Sequence, residues 1–229
     1  MRNSEIKLYF DFISQPSRAV FAFLLENEIP HEVVNVSLLQ GEHLKPEFTS
    51  ILGSSRLPAL HHSSFKMIES HTILRYLASL PGVSAHFYPK SPQKKAKVDE
   101  YLDWHHTGLR IFSDGMLHFD FFERKLGIKF NLKPNMAIIK EKLLEGLQFI
   151  EEYFLKEEGK FINGFSSPTI ADFSAYFELS TLDYLGYNFG SFPRTSKWKL
   201  RISSLPGVIE AQVEFLQMSS ALNPPKPSL

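Results

Sequence analysis

The sequence predicts a two-part chain: an α/β segment ordered β-α-β-α-β-β-α, followed by an all-helical segment. Runs rich in β-branched and aromatic residues are confined to the first eighty or so residues, and no convincing strand appears beyond about residue 85. Past that point, apolar residues recur at i, i+3 and i+4 between Gly and Pro punctuation. At 229 residues the chain is long enough for two packed units.

The elements follow in order. "IKLYFD" from Ile6 suits a buried strand, and Arg18 to Glu26 has helical apolar spacing with Pro16 at its first turn. Ser14, in "SQPS", is placed either to punctuate that helix or to offer its hydroxyl to a ligand. "HEVVNVSL" from His31 reads as a second strand and "HLKPEFTSIL" from His43 as a short helix. Leu57–Leu60 and Phe65–Ile68, separated by "HHSS", predict an antiparallel hairpin. "ESHTILRYLASL" puts Ile73, Leu74, Leu77 and Leu80 on one helical face, and Pro81-Gly82 stops it. After a turn-rich stretch, "KKAKVDEYLDWHHTGLRIFSDGML" and "MAIIKEKLLEGLQFIEEYFLKE" read as long helices. A third starts at Thr169, with Asp172 three residues on in a capping-box pattern. Two more are expected around "TSKWKLRISS" and "GVIEAQVEFLQM". The boundaries expected are 1–83 for the first domain, 84–91 for a linker and 92–229 for the second.

Composition narrows the function. A hydrophobic fraction of 43% with 21 Phe supplies a core, and 25 basic residues against 25 acidic ones leave no net charge. Nucleic acid and anionic membranes are thereby disfavoured as partners. No apolar run reaches the roughly 18 residues of a membrane span, and the N-terminus has no uninterrupted apolar stretch of the signal-peptide kind. A soluble, unexported, cytoplasmic protein is expected. The absence of Cys removes disulfides, thiolate metal sites and cysteine nucleophiles. Any thiol chemistry must use a ligand's thiol. His61-His62 and His105-His106 do not make a metal site, because adjacent residues point to different faces of a strand or helix. No metal is expected.

The stretches "LYFDFISQPSRAV", "QGEHL", "RLPAL", "ESHTILRYL", "KVDEYLDWHHTGLR" and "TIADFSAYFEL" span nearly the whole chain. In that order they resemble the cytosolic glutathione S-transferase family, most closely its theta-like class. The resemblance implies a thioredoxin-like N-terminal domain and an all-helical C-terminal domain. It also implies a homodimer with glutathione as co-substrate and no other cofactor. The implied activity, of the detoxification type, is conjugation of the glutathione thiolate to a small hydrophobic electrophile or displacement of its halide. Peroxide reduction is a neighbouring activity. The rival is a non-catalytic binding or assembly module of the same fold, while a cysteine-dependent reductase or isomerase lacks its nucleophile here.

The resemblance also assigns residues. Only the thiolate of glutathione is a good nucleophile, so a donor aimed at sulfur raises reactivity. Ser14 is the donor implied for theta-like members. Tyr9 of the "YF" dipeptide is the alternative, since other classes use a tyrosine near that position. Arg18 either strengthens the field at the helix start or serves as an ion-pair partner. Ser70, at the start of the helix after "ES", is assigned the γ-glutamyl carboxylate, with Glu69 beside it. Leu57, before a cis Pro58, pairs through its main chain with the cysteinyl unit. Arg56 and His43 face the glycine carboxylate, and Gln15 joins the glutathione set. The electrophile pocket is assigned to Phe12, Ile13, Arg110 and Ile111. The chain ends soon after "EFLQM", short of the extension that covers the pocket in some theta-like members.

Overall fold

The computed structural model describes residues 5–124, 127–128 and 135–221. The Pro-rich tail after residue 221 lies outside these.

The first segment forms a four-stranded sheet of order β2-β1-β3-β4, with β1 Ile6–Phe10, β2 Glu32–Asn35, β3 Ala59–His62 and β4 Phe65–Ile68. β1 pairs parallel with β2 and antiparallel with β3, which pairs antiparallel with β4. The helices between them are α1 Gln15–Glu26, α2 Pro46–Leu52 and α3 Ser70–Leu77. This is the predicted order. The hairpin is tighter than the sequence suggests: His62 pairs with Phe65, and Ser63, with φ 56°, opens a two-residue turn. His61 and His62 are therefore strand residues.

Alternation along β1 sorts its side chains between two cores. Ile6, Leu8 and Phe10 join a large core with α1, α3 and the helical segment. Tyr9 faces the other way, packing with Val36, Phe48 and Ala59 under α2.

The helical segment comprises α4 Pro92–His105, α5 Ile111–Leu117, α6 Met136–Phe149, α7 Ile170–Tyr184, α8 Pro193–Ser203 and α9 Pro206–Ala221. The long helical segment predicted across 94–117 is present: α4 runs into α5 through a wide π-type turn at 106–110 with helical backbone throughout. Helix α6 crosses this turn so closely that a Cβ on Gly146 would lie 2.3 Å from the Gly108 carbonyl oxygen. The predicted capping box at Thr169 and Asp172 is present, and Asp172 also accepts from Trp198 Nε1 at 2.8 Å. Helix α7 is buried on every side from Ile170 to Leu182, so each of its polar residues needs a partner in the protein. For Ser174 and Glu178 those partners lie around the cleft.

Candidate functional site

A cleft of about 620 Å³ separates the α/β wall from the helical wall. Ile13, Ser14, Gln15, His43, Arg56, Leu57, Pro58, Glu69 and Ser70 line one side, and His105, His106, Arg110, Asp114 and Glu178 line the other.

The loop carrying Ser14 is held by Asp11. One Asp11 oxygen accepts from the Ile13 N–H at 2.7 Å and the other from the Leu38 N–H at 2.8 Å. This ties the loop to the segment after β2. Ser14 is the N-cap of α1, with φ −74° and ψ 109°, and its Oγ accepts from the Ser17 N–H. Sequence posed cap or ligand group as alternatives, yet the cap leaves Ser14 on the cleft wall. Arg18, further along that helix, is fully buried and makes no ion pair among the described residues. It donates to the carbonyls of Phe12 and Ile13 and to Thr181 of α7, and stacks 3.7 Å from the Phe215 ring centre. Burial pulls its guanidinium down to about 9. Arg18 is thus a strut between the two segments.

At the other end of this wall, α3 begins without a side-chain cap. Its first N–H groups and positive dipole end are available to an anion where Ser70 lines the cleft. Glu69 precedes it with φ 72° and ψ 108°, a conformation costly for a residue with a Cβ. The Leu57–Pro58 bond is cis. Arg56 is exposed, and His43 is half-buried, its pKa lowered by desolvation, so its imidazole is neutral near pH 7.

The helical wall centres on Glu178, 2% exposed. Arg110 Nη1 lies 2.9 Å and His105 Nε2 3.5 Å from its Oε2, while Ser113 and the Gln15 amide donate to Oε1. Burial alone would raise the carboxyl, but Arg110, reinforced by His105 and Ser113, outweighs it and holds Glu178 at about 2. Arg110 also reaches Asp114 at 3.3 Å, so the one arginine faces two carboxylates. Nearby, His71 meets Ser174 of α7 at 2.7 Å and its ring lies 4.5 Å from that of His106. Desolvation, then the neighbouring imidazoles, push His71 well below its usual range.

Residues 6–79 match the model for the glutathione S-transferase N-terminal domain. Over 212 residues the chain is 37% identical to glutathione S-transferase T1 of Arabidopsis thaliana, covering 92% of this chain and 82% of that protein. The chain belongs to the glutathione S-transferase family. It is also 35% identical over 206 residues to glutathione S-transferase theta-1 of Mus musculus, covering 88% of this chain and 84% of that one. A crystal structure of human glutathione transferase theta-2, in complex with glutathione and an unknown ligand, superposes with a TM-score of 0.84 at 31% identity. It covers 97% of this chain and 93% of that one. The likeness to theta-class members runs through both segments, so the thioredoxin-like and helical domains are those of this transferase family.

In this transferase three expected site residues lie off the cleft. Tyr9 is on the opposite face of the sheet, its ring 6.0 Å from Phe48 and 5.1 Å from His61, because strand alternation turns it toward α2. Phe12 packs between Phe10 and Phe21 and offers only its carbonyl, to Arg18. Ile111 is 60% exposed: successive residues on a helix point about 100° apart, so Arg110 faces the cleft and its neighbour faces solvent. Arg110 lines the cleft, but as a member of the Glu178 network rather than as a free cation. The residues not anticipated are Asp11, His71, Ser113 and Glu178. Only the α7 face left a trace in the sequence: Ser174, Glu178 and Thr181 fall at i, i+4 and i+7, on one side of the helix. Among the described residues, no group of three or more His, Cys, Asp or Glu side chains is placed to hold a metal ion. His62 instead meets Tyr76 at 2.7 Å.

Proposed function

We propose that this transferase binds glutathione along the α/β wall, holds its sulfur as thiolate at Ser14, and presents it to a small electrophile against the helical wall. The observation that carries the reading is that two helix N-termini, α1 at Ser14 and α3 at Ser70, open on one cleft. Glutathione offers an anionic sulfur and an anionic γ-glutamyl carboxylate to these two ends. Leu57 supplies main-chain pairing to the cysteinyl unit, Gln15 and Glu69 polar contacts, and Arg56 with neutral His43 donors for the glycine carboxylate.

The thiol proton is released to solvent. The sulfur lone pair then forms the new C–S bond while the leaving group, a halide for instance, departs with its electron pair. The protein contributes thiolate stabilisation and positioning, with no covalent enzyme intermediate. Ile13 and Arg110, with Leu117 and Phe122 behind them, form the electrophile side. Reduction of hydroperoxides by the same thiolate is a secondary activity. The working form is a cytoplasmic homodimer, with domains at 1–83 and 92–229 joined by 84–91. Among the described residues no helix is long and apolar enough to cross a membrane.

The test is turnover of glutathione with a panel of alkyl and aryl halides. Wild type should conjugate at least one of them, Ser14→Ala should lose about 100-fold in kcat/KM, as for loss of one preorganised donor, and Tyr9→Phe should match wild type. Tight glutathione binding with no conjugation or peroxide reduction would instead identify a binding module. Loss in Tyr9→Phe with Ser14→Ala fully active would reverse the assignment of the donor.

A further inference from the structure

We propose that Ser17 is a positioning residue for thiol activation: it occupies the acceptor sites of the Ser14 oxygen, so that Ser14 can act toward sulfur only as a donor. This rests on Ser14 being the group that meets the glutathione sulfur. Ser17 lies on the buried side of α1, with 0% of its surface exposed. Its Oγ is 2.9 Å from Ser14 Oγ, and it has no other side-chain hydrogen-bond partner among the described residues.

That isolation sets the direction of the bond. If Ser14 donated to Ser17, the Ser17 proton would be buried without an acceptor; Ser14, on the cleft wall, has space for its own proton. Ser17 is therefore the donor. Its backbone N–H points at the same oxygen from 3.4 Å. A hydroxyl oxygen has two acceptor sites and one proton. Both acceptor sites on Ser14 are taken from the helix side, leaving the proton for the cleft.

The chemical consequence is selective. A neutral thiol bound at Ser14 needs an acceptor for its S–H, which this oxygen no longer offers. A thiolate needs a donor, which it does. Hydrogen bonding to the charged form alone lowers the pKa of the bound thiol, and two donors onto the Ser14 oxygen also polarise its O–H. Without Ser17, the Ser14 hydroxyl is free to turn and accept, and the two thiol forms are held more evenly.

The experiment is a pH profile of kcat at saturating glutathione for wild type, Ser17→Ala, Ser14→Ala and the double variant. Ser17→Ala should turn over about tenfold more slowly at acidic pH, converge on wild type at alkaline pH, and keep its KM for glutathione within about twofold, as a rise of one unit in thiol pKa requires. In the Ser14→Ala background, Ser17→Ala should have no further effect on the profile. Ser17→Thr, which keeps the hydroxyl, should retain the wild-type profile. A Ser17→Ala profile equal to wild type, with Ser14→Ala impaired, would overturn the role of Ser17 and leave that of Ser14 standing. A Ser14→Ala profile equal to wild type would remove the underlying reading itself. A drop in Ser17→Ala that is the same at every pH and in both backgrounds would mean lost packing, and would also overturn the proposal. If Ser17→Ala does not fold, nearly isosteric Ser17→Cys, a weak donor, should show the same pH-dependent loss in smaller measure, and a flat profile there would count against it.

Discussion

The α/β wall of the cleft presents backbone groups and short polar side chains at loops and helix starts, whereas the helical wall presents ionised side chains already bound to one another. Ser14 and the uncapped start of α3 have capacity left for a ligand. Arg110 and Glu178 are committed: the arginine faces two carboxylates, and the carboxylate receives four side-chain groups. The difference teaches that the α/β wall keeps unspent donors, whereas the helical wall is a closed charge network. Substitutions on the first should change binding and rate, and those on the second should change stability.

The largest effect is expected at the centre of the closed network. Glu178→Gln removes the principal counter-charge of Arg110 and should destabilise the fold by about 3 kcal/mol, read by chemical denaturation. Because its carboxyl sits at about 2 in the folded chain, below the ordinary 4.5, its contribution is complete above pH 4.5 and is lost as the pH falls toward 2. Glu178→Gln should flatten that acid limb. An earlier decline should begin below about pH 6.5, where unfolded His71 gains a proton that the buried folded imidazole resists. Gly146→Ala comes next: a Cβ there meets the Gly108 carbonyl at 2.3 Å, so a loss of about 2 kcal/mol is expected, with the affinity for glutathione unchanged.

On the open wall, Ser70→Ala should weaken glutathione binding about tenfold by calorimetry while moving the melting temperature little. Equal affinity in wild type and variant would break the contrast between the walls. The smallest effect is expected for Tyr9→Phe, whose ring packs under α2 on the far face of the sheet and whose kcat/KM should stay within about twofold of wild type.

The same contrast decides what could be read from the sequence. Strand alternation, Pro at helix starts and the Thr169–Asp172 box gave the element order because each is a local signal. Ser14, Pro58 and Ser70 stood out because their motifs are short and contiguous. The helical wall did not, since Arg110 and Ser113 meet Glu178 across 68 and 65 residues of chain. No spacing rule brings such pairs together. Phe12 and Ile111 lie off the cleft for the converse reason: nearness in sequence to a cleft residue says nothing of direction on a tight loop or a helix. Asp11 was overlooked because its two acceptors serve backbone N–H groups, one from the segment after β2.

The most direct measurement is an ultraviolet titration of the thiol of bound glutathione in wild type and Ser14→Ala, with calorimetry to establish occupancy of both. Stabilisation of the thiolate by Ser14 requires that the bound thiol ionise below its free-solution pH in wild type and lose that shift in Ser14→Ala. Full occupancy with no shift in wild type, or an equal shift in both proteins, would contradict it.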